Sequence, residues 1–257
     1  METIHIAKFP LKTVQFNFSL ELRLLLKHDL RCDWFDYQFK GPQTVKHLIE
    51  SLSIPHTEIG RILVNGETQG IDYLVQNMDR VEVSNCEIQS SSPETNAGEP
   101  RFVLDGHLGR LTAYLRMLGL DCQYHNDYSD EELVQVSISE SRILLTRDRR
   151  LLMHKTILHG CLVRSLNPEQ QLLQVMHRFM LKQWIRPFQR CLLCNHMLTP
   201  IEKGDVLHRL KPLTKKYFDE FHTCLNCHQI YWKGSHYERM LLLIDRAISS
   251  SDAPNAE

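Results

Sequence analysis

Hydrophobic positions recur along this chain in two rhythms, and the change of rhythm divides it. In the first 86 residues Thr3-Ile4-His5-Ile6-Ala7-Lys8-Phe9 and Trp34-Phe35-Asp36-Tyr37-Gln38-Phe39 alternate with a period of two, the mark of half-buried strands. Between them Leu20-Glu21-Leu22-Arg23-Leu24-Leu25-Leu26 is helical in pattern, and Thr44 stands as the cap of a second helix through Val45, Leu48, Ile49 and Leu52. Arg61-Ile62-Leu63-Val64 then meets an Asn65-Gly66 pair, the strongest short hairpin signal, and Arg80-Val81-Glu82-Val83 follows. Ser90 to Pro100 contains no large apolar residue, so residues 87–100 read as a linker.

Beyond the linker the rhythm becomes strand, acid, helix. Phe102-Val103-Leu104 is followed by Asp105, Cys122-Gln123-Tyr124 by Asp127, Asp130, Glu131 and Glu132, and Ile143-Leu144-Leu145-Thr146 by Asp148. Gly106 to Leu118 places Leu108, Leu111, Leu115 and Leu118 on one helical face and stops at Gly119, as a helix with a glycine cap does. Glu131 to Ser139 makes a second helix, Arg149 to His154 a short third, Cys161-Leu162-Val163 a fourth strand, and Glu169 to Trp184 a long helix. Strands alternating with amphipathic helices predict a parallel sheet covered on both faces, and such sheets bind ligands outside the carboxyl ends of their strands. All three acidic positions fall there. Asp is also a preferred helix cap, which accounts for any one of them. Three carboxylates converging on one small area instead call for a divalent cation, and hard oxygen donors favour magnesium or manganese.

Cysteine usage adds a third module. Of eight cysteines, four form Cys191-Leu192-Leu193-Cys194 and, 29 residues later, Cys224-Leu225-Asn226-Cys227. Two close thiolate pairs joined by a loop present four sulfurs tetrahedrally, which is the structural zinc arrangement; a redox pair or chance pairs are the competing readings. A closed site of this kind contributes folding energy and leaves no open position for catalysis. His196, His222 and His228 stand nearby as substitutes, and Trp232 is expected to pack over the knuckle or to stack on an unpaired base. Cys32, Cys86, Cys122 and Cys161 lie in or beside apolar runs and read as buried thiols.

Composition excludes several classes. The 257 residues are 42% hydrophobic, enough for real cores. No apolar run reaches the roughly 18 residues of a membrane span, and the N-terminus lacks a basic-then-apolar leader, so a cytoplasmic protein with no membrane partner is expected. The net charge of −1 hides an asymmetry: residues 1–100 carry 9 Lys+Arg against 14 Asp+Glu, residues 101–257 carry 21 against 17. Nine bases and two acids, Glu202 and Asp205, lie between Arg178 and Lys216, which suits either a phosphate backbone or a solvated charged face.

The first 86 residues fit a β-grasp fold, and Thr44-Val45-Lys46-His47-Leu48-Ile49 with Ile62-Leu63-Val64-Asn65-Gly66-Glu67 resembles the ubiquitin-like sulfur carriers of the ThiS and MoaD type. Those carriers end in an activated diglycine. Here Val83-Ser84-Asn85-Cys86 has none, so an interaction or substrate-guiding module, with a protein or RNA partner, is expected. Phe102-Val103-Leu104-Asp105-Gly106-His107-Leu108-Gly109-Arg110-Leu111, Tyr114-Leu115-Arg116-Met117-Leu118-Gly119, Ile143-Leu144-Leu145-Thr146-Arg147-Asp148, the cysteine pairs and Tyr231-Trp232-Lys233-Gly234-Ser235-His236 together resemble the Mut-Seven C-terminal RNase domain.

That resemblance implies an α/β PIN-like nuclease domain over residues 101–186, a zinc ribbon and closing helix over 187–248, a tail from 249 to 257, and a ubiquitin-like β-grasp domain over 1–86. It implies a metal-dependent ribonuclease, an endonuclease, with RNA as substrate. Zinc would be held by Cys191, Cys194, Cys224 and Cys227, and magnesium or manganese by Asp105, Asp130 and Asp148, with Glu131 and Asp127 as candidates for a further carboxylate. Arg110, Arg116, Arg147 and Arg149 are candidates for gripping phosphate with a bidentate guanidinium, or are surface charges, Arg116 snorkelling from an apolar helix. Two rivals remain at this level. One is a non-catalytic zinc-ribbon RNA-binding adaptor. The other is a phospho-acceptor receiver, for which the lysine needed after the fourth strand is missing.

Overall fold

A computed structural model describes residues 9–86 and 98–250. These fall into two compact units, residues 9–86 with 148–158 and residues 98–147 with 159–250.

The first unit is a five-stranded sheet made by β1 (Leu11–Phe18), β2 (Phe35–Lys40), β3 (Ile59–Val64), β4 (Glu67–Gln69) and β5 (Arg80–Asn85), with a one-turn helix α1 (Leu20–Arg23) and a crossing helix α2 (Val45–Ser51). The strand order β2-β1-β5-β3-β4, with β1 and β5 parallel and the other pairs antiparallel, is β-grasp-like. Val14, Phe16 and Phe18 point inward from β1, and α2 adds Val45, Leu48 and Ile49 to the buried residues. The Thr44 side chain accepts from the His47 N–H, the cap expected from sequence. Asn65 and Gly66 both take positive φ (53° and 87°), as a tight hairpin turn between β3 and β4 requires. Asp79 finishes this corner: its buried carboxylate accepts from Asn65 Nδ2, Tyr73 Oη and the Gln76 N–H.

Two expectations change here and a third is not described. The strand expected at Thr3–Phe9 lies outside the described residues except for Phe9, and β1 follows it. The helix expected from Leu20 to Leu26 ends at Arg23, whose guanidinium turns back onto the Phe18 carbonyl and the Asn17 and Asp33 side chains, while the following turn buries Leu25 and Leu26. Cys32 is exposed and Cys86 half-buried, because neither lies on an inward strand position; Cys122 and Cys161, which do, are buried.

The second unit begins with β6 (Arg101–Leu104), a 3₁₀ turn, α3 (Gly109–Met117), β7 (Asp121–Tyr124), α4 (Asp130–Ser139) and β8 (Ile143–Thr146). The chain then passes through α5 (Arg149–Leu152), which belongs to the first unit, and returns with β9 (Gly160–Leu162) and α6 (Pro168–Arg178). All four strands are parallel in the order β7-β6-β8-β9. Phe102, Leu104, Cys122, Leu145, Cys161 and Val163 form one core with Leu108, Leu111 and Leu115 of the α3 region and Leu172, Val175 and Met176 of α6. On the alternate positions Val103 and Leu144 are also buried, and α4 packs against β6 and β8 with Leu133 and Val134. The helix expected to run to Trp184 stops at Arg178. Met180 is left-handed (φ 48°), which redirects the chain into a 3₁₀ turn and buries Leu181.

The C-terminal part holds β10 (Leu198–Ile201), α7 (Lys203–Val206), α8 (Pro212–Tyr217), β11 (Phe221–Cys224), β12 (Ile230–Trp232) and α9 (Ser235–Ser250). The three strands make an antiparallel sheet over a small core of Val206, Leu210, Phe221 and Ile230. Helix α9 packs on α6 and contributes Ile244 to the main core. No helix of the described residues is long and apolar enough to cross a membrane.

Gly119 closes α3 with φ 95°, and a Cβ there would run into the Arg186 carbonyl oxygen. Gly119→Ala is therefore expected to destabilise the second unit by about 3 kcal/mol. Chemical denaturation followed by circular dichroism measures it, and an unchanged midpoint would contradict this account of the turn.

Candidate active site and zinc centre

Strand order locates the chemistry. From β6 the chain passes to β7 on one side, then crosses back to β8 on the other, so the carboxyl ends of β6 and β8 border the point where the winding reverses. Open parallel sheets offer a ligand crevice at such a point. Asp105 is the first residue beyond β6, and Thr146 is the last of β8. Thr146 donates its hydroxyl to Asp105 Oδ2 at 2.7 Å, while Oδ1 accepts from the His107 N–H and from His107 Nδ1 at 3.3 and 3.1 Å. The Asp105 N–H is itself bound to the Leu145 carbonyl, which pins the backbone to the neighbouring strand. Burial alone would raise the Asp105 pKa, but the Thr146 and His107 hydrogen bonds outweigh it and hold the carboxyl below its ordinary value.

The other acids are placed less tightly. Asp130 is exposed in the first turn of α4, and its expected capping role belongs to Ser129, which forms a reciprocal capping box with Glu132. Glu131 and Asp127 are exposed as well; Asp127 lies 4.0 Å from His125 Nδ1. Asp148 caps α5, with Oδ1 accepting from the Arg150 N–H at 2.7 Å. Among the described residues, the four cysteines are the group of three or more potential ligands within reach of one ion, and the acids do not assemble into another.

The arginine expectations divide. Arg110 and Arg147 are exposed. Arg149 is half-buried and donates from Nη1 to the Leu25 carbonyl, inside the first unit. Arg116 is a correction: it is 2% exposed and neither grips phosphate nor snorkels. Its Nε and Nη2 donate to the Cys122 carbonyl at 3.1 and 2.8 Å, and Nη1 donates to the Leu192 and Leu193 carbonyls at 3.0 and 2.8 Å. A buried guanidinium is tolerated where its donors meet acceptors, and two of the acceptors here lie inside the first Cys-x-x-Cys.

That motif and its mate are built alike. The Asn195 N–H donates to the Cys191 carbonyl and the His228 N–H to the Cys224 carbonyl, with Asn195 and His228 both left-handed (φ 69° and 58°). The Cys191 N–H returns to the His196 carbonyl and the Cys224 N–H to the Gln229 carbonyl. The four sulfurs lie within 4.8 Å of one another. Tyr231 Oη sits 3.2 Å from Cys191 Sγ and accepts the Leu192 N–H, which leaves the phenol proton to face the sulfur. Such a donor suits a thiolate.

Burial and the neighbouring thiols push Cys227 up to about 12. At Cys194 burial is outweighed by the His196 amide, the Asn226 side chain and neighbouring thiols, which bring it down to about 6. A cation levels this disparity, because coordination deprotonates thiols outright. The set fits zinc. His196, His222 and His228 are outside the cluster, and Trp232 lies 6.4 Å from the Phe221 ring, on the β-ribbon.

Asn195 also keys this knuckle to the amino ends of the parallel strands. Its Oδ1 accepts the Cys122 N–H at 3.1 Å and its Nδ2 donates to Asp121 Oδ1 at 2.9 Å. Arg142 and Arg190 complete the Asp121 shell at 2.6 and 3.5 Å.

A parallel α/β domain with an oriented aspartate at its carboxyl edge, a four-cysteine ribbon at its amino edge and a β-grasp-like unit earlier in the sequence define the class. One family model, the Mut7-C RNAse domain, matches residues 100–244, and a second, the Mut7-C ubiquitin domain, matches residues 11–89. The chain belongs to the Mut7-C RNAse domain family. No curated protein and no solved structure matches it significantly.

Three measurements test the ribbon. Arg116→Met removes the donor shared by the buried Cys122 carbonyl and the part-buried Leu192 and Leu193 carbonyls and is expected to cost about 3 kcal/mol; denaturation of the zinc-loaded protein reads it, and a cost near zero would remove Arg116 from this role. Metal analysis should find one zinc per chain. Stripping it with a chelator should lower the melting temperature of the whole second unit, and melting unchanged after removal would show the ribbon to be energetically separate.

Proposed function

We propose that the chain is a ribonuclease that hydrolyses RNA phosphodiester bonds with magnesium or manganese, Asp105 being the central ligand. The observation that carries this reading is Asp105 itself: ionised, oriented by Thr146, and placed at the reversal point of a sheet in an RNAse-domain chain. Magnesium is commonly held by one or two carboxylates together with waters and substrate phosphate, so a full cage of acids is not required. Asp130 and Asp148, each beyond the carboxyl end of a strand, are the proposed further ligands, with Glu131 and Asp127 in reserve. The ion would supply an acidified water and charge stabilisation at the phosphoryl group.

The protein's own part is to orient and to bind. Thr146 fixes the Asp105 carboxylate by holding Oδ2, and the His107 amide holds Oδ1, so its rotamer is set before substrate arrives. Arg110 and Arg147 are exposed cations for phosphate. Endonucleolytic cleavage, a structural zinc in the four-cysteine cluster and a cytoplasmic setting, where eight free cysteines persist, belong to the same reading.

Purified protein should cleave single-stranded or structured RNA with magnesium or manganese and not with chelator. Asp105→Asn should lower the rate by at least about 100-fold, and Thr146→Val, which loosens a ligand without removing it, by about 10- to 100-fold. Asp148→Asn tests the second ligand. A second reading is favoured by the amide bonds of Asp105 and Asp148, which serve as helix caps: a zinc-ribbon RNA-binding adaptor. RNA bound but not cleaved by the wild type, with affinity equal in all three variants, would leave the adaptor standing.

A further inference from the structure

Helix α8 and its flanks present a surface that the proposed catalytic edge does not use. The helix buries one side chain, Thr214, while Leu213 and Tyr217 are 69% and 63% exposed. Around the helix axis, Lys211 and Lys215 lie on one flank, Pro212 and Lys216 on the crest, and Leu213 and Tyr217 on the other flank, because residues four apart share a face. The Lys216 ammonium lies 5.2 Å from the Tyr217 ring centroid, so cation and aromatic stand side by side. Arg209 is exposed just before the helix and ties the segment to the second zinc knuckle by donating to the His228 carbonyl at 2.7 Å. The platform is anchored below by Val206, Leu210, Phe221 and Ile230, with Phe218 packed against them.

Charge decides what such a surface fits. The acids that follow the helix are already spent: Asp219 pairs with Lys203 and Glu220 with Lys233, each at 2.7 Å. Arg209, Lys211, Lys215 and Lys216 form no ion pair among the described residues, and Asp205 is the nearest remaining acid in sequence. Four uncompensated cations beside an exposed tyrosine and leucine match a polymer with regularly spaced anions and flat apolar faces. We propose that this face binds single-stranded RNA, lysines on phosphates and Tyr217 against a base. The proposal rests on the ribonuclease reading for the identity of the polymer. An acidic protein segment has anions, but does not pair an anion with a planar face in every unit as a nucleic acid does.

The test uses the zinc-loaded full chain carrying Asp105→Asn, so that RNA is bound without being cut, and fluorescence anisotropy with a mixed-sequence single-stranded 20-mer. Adding Lys215→Ala and Lys216→Ala should weaken binding at least about tenfold and reduce the slope of log affinity against log salt by about 1.4, two released phosphate contacts on a single strand. Tyr217→Leu, which keeps apolar bulk and removes the aromatic face, should weaken it about tenfold with the salt slope unchanged. Lys216 and Tyr217 are exposed and Lys215 is half-buried, so melting should match the parent and exclude misfolding. Unchanged affinity and slope in the lysine variant would overturn the proposal. So would preferential binding of duplex RNA, or polyglutamate binding that depends on Lys215 and Lys216 while RNA binding does not. Cleavage that proceeds in the otherwise wild-type chain with both lysine changes, at unchanged KM, would also dismiss this surface while leaving the nuclease intact. Loss of RNA affinity without any cleavage in the wild type would do the reverse.

Discussion

The buried guanidinium of Arg116 is the constraint on which the second unit depends. A cation 2% exposed survives inside a protein when acceptors surround it, and helix α3 supplies none at that position. They come from the Cys122 carbonyl on β7 and from the Leu192 and Leu193 carbonyls of the first knuckle. Those two carbonyls are aimed by the bonds that close Cys191 to Asn195 and Cys191 to His196. Four sulfurs within 4.8 Å repel once ionised unless a cation draws them together. Knuckle, guanidinium and sheet thus form one chain of dependence, which zinc in the cysteine cluster would hold closed.

The same arrangement separates stability from chemistry along the strands. The ribbon is keyed to the amino ends, where Asp121 opens β7 and Asn195 spans its carboxylate and the next amide. The opposite ends carry Asp105, Thr146 and the acids after β7. A sheet wound outward in both directions from β6 creates that second edge whatever residues occupy it, and strand sequence then needs only a carboxylate after Leu104 and a hydroxyl at Thr146. The bonds that anchor the ribbon, to Asp121 and Cys122, thus lie at the end of the sheet opposite to Asp105.

Much of this was legible in sequence, for identifiable reasons. Alternating and helical rhythms gave the α/β core because Phe102, Leu104, Leu145, Leu111 and Leu115 are buried through apolar contact alone, and contact of that kind follows period. Cys-x-x-Cys spacing is equally local. What escaped depends on three-dimensional neighbours. Arg116 reads as a surface base because nothing in its own helix shows carbonyls 76 and 77 residues away. Asp130 reads as a cap, whereas Ser129 with Glu132 satisfies the same amides better. Thr146 is one more strand residue until β6 is known to lie beside β8. Asn195 and His228 had a usable signal: a residue following the second cysteine of each pair must turn left-handed, and asparagine tolerates that conformation.

Two aspartates show how position converts one functional group to opposite uses. Both carboxyls lie partly buried and are held below their ordinary pKa. At Asp121 burial is overcome by Arg142, Asn195 and Arg190, so its charge is neutralised where it stands. Because its folded pKa is below the unfolded value of about 3.9, its stabilisation is complete above that pH and is lost as pH falls through the folded value. At Asp105 burial is overcome by a hydroxyl and by His107, whose ring is 82% exposed, and among the described residues no guanidinium is within bonding distance. A hydroxyl and a backbone amide orient a carboxylate without cancelling its charge. An acid held ionised at the carboxyl edge without a guanidinium differs from one locked between two arginines, and that difference in partners separates Asp105 from the structural Asp121 at the far end of the same sheet.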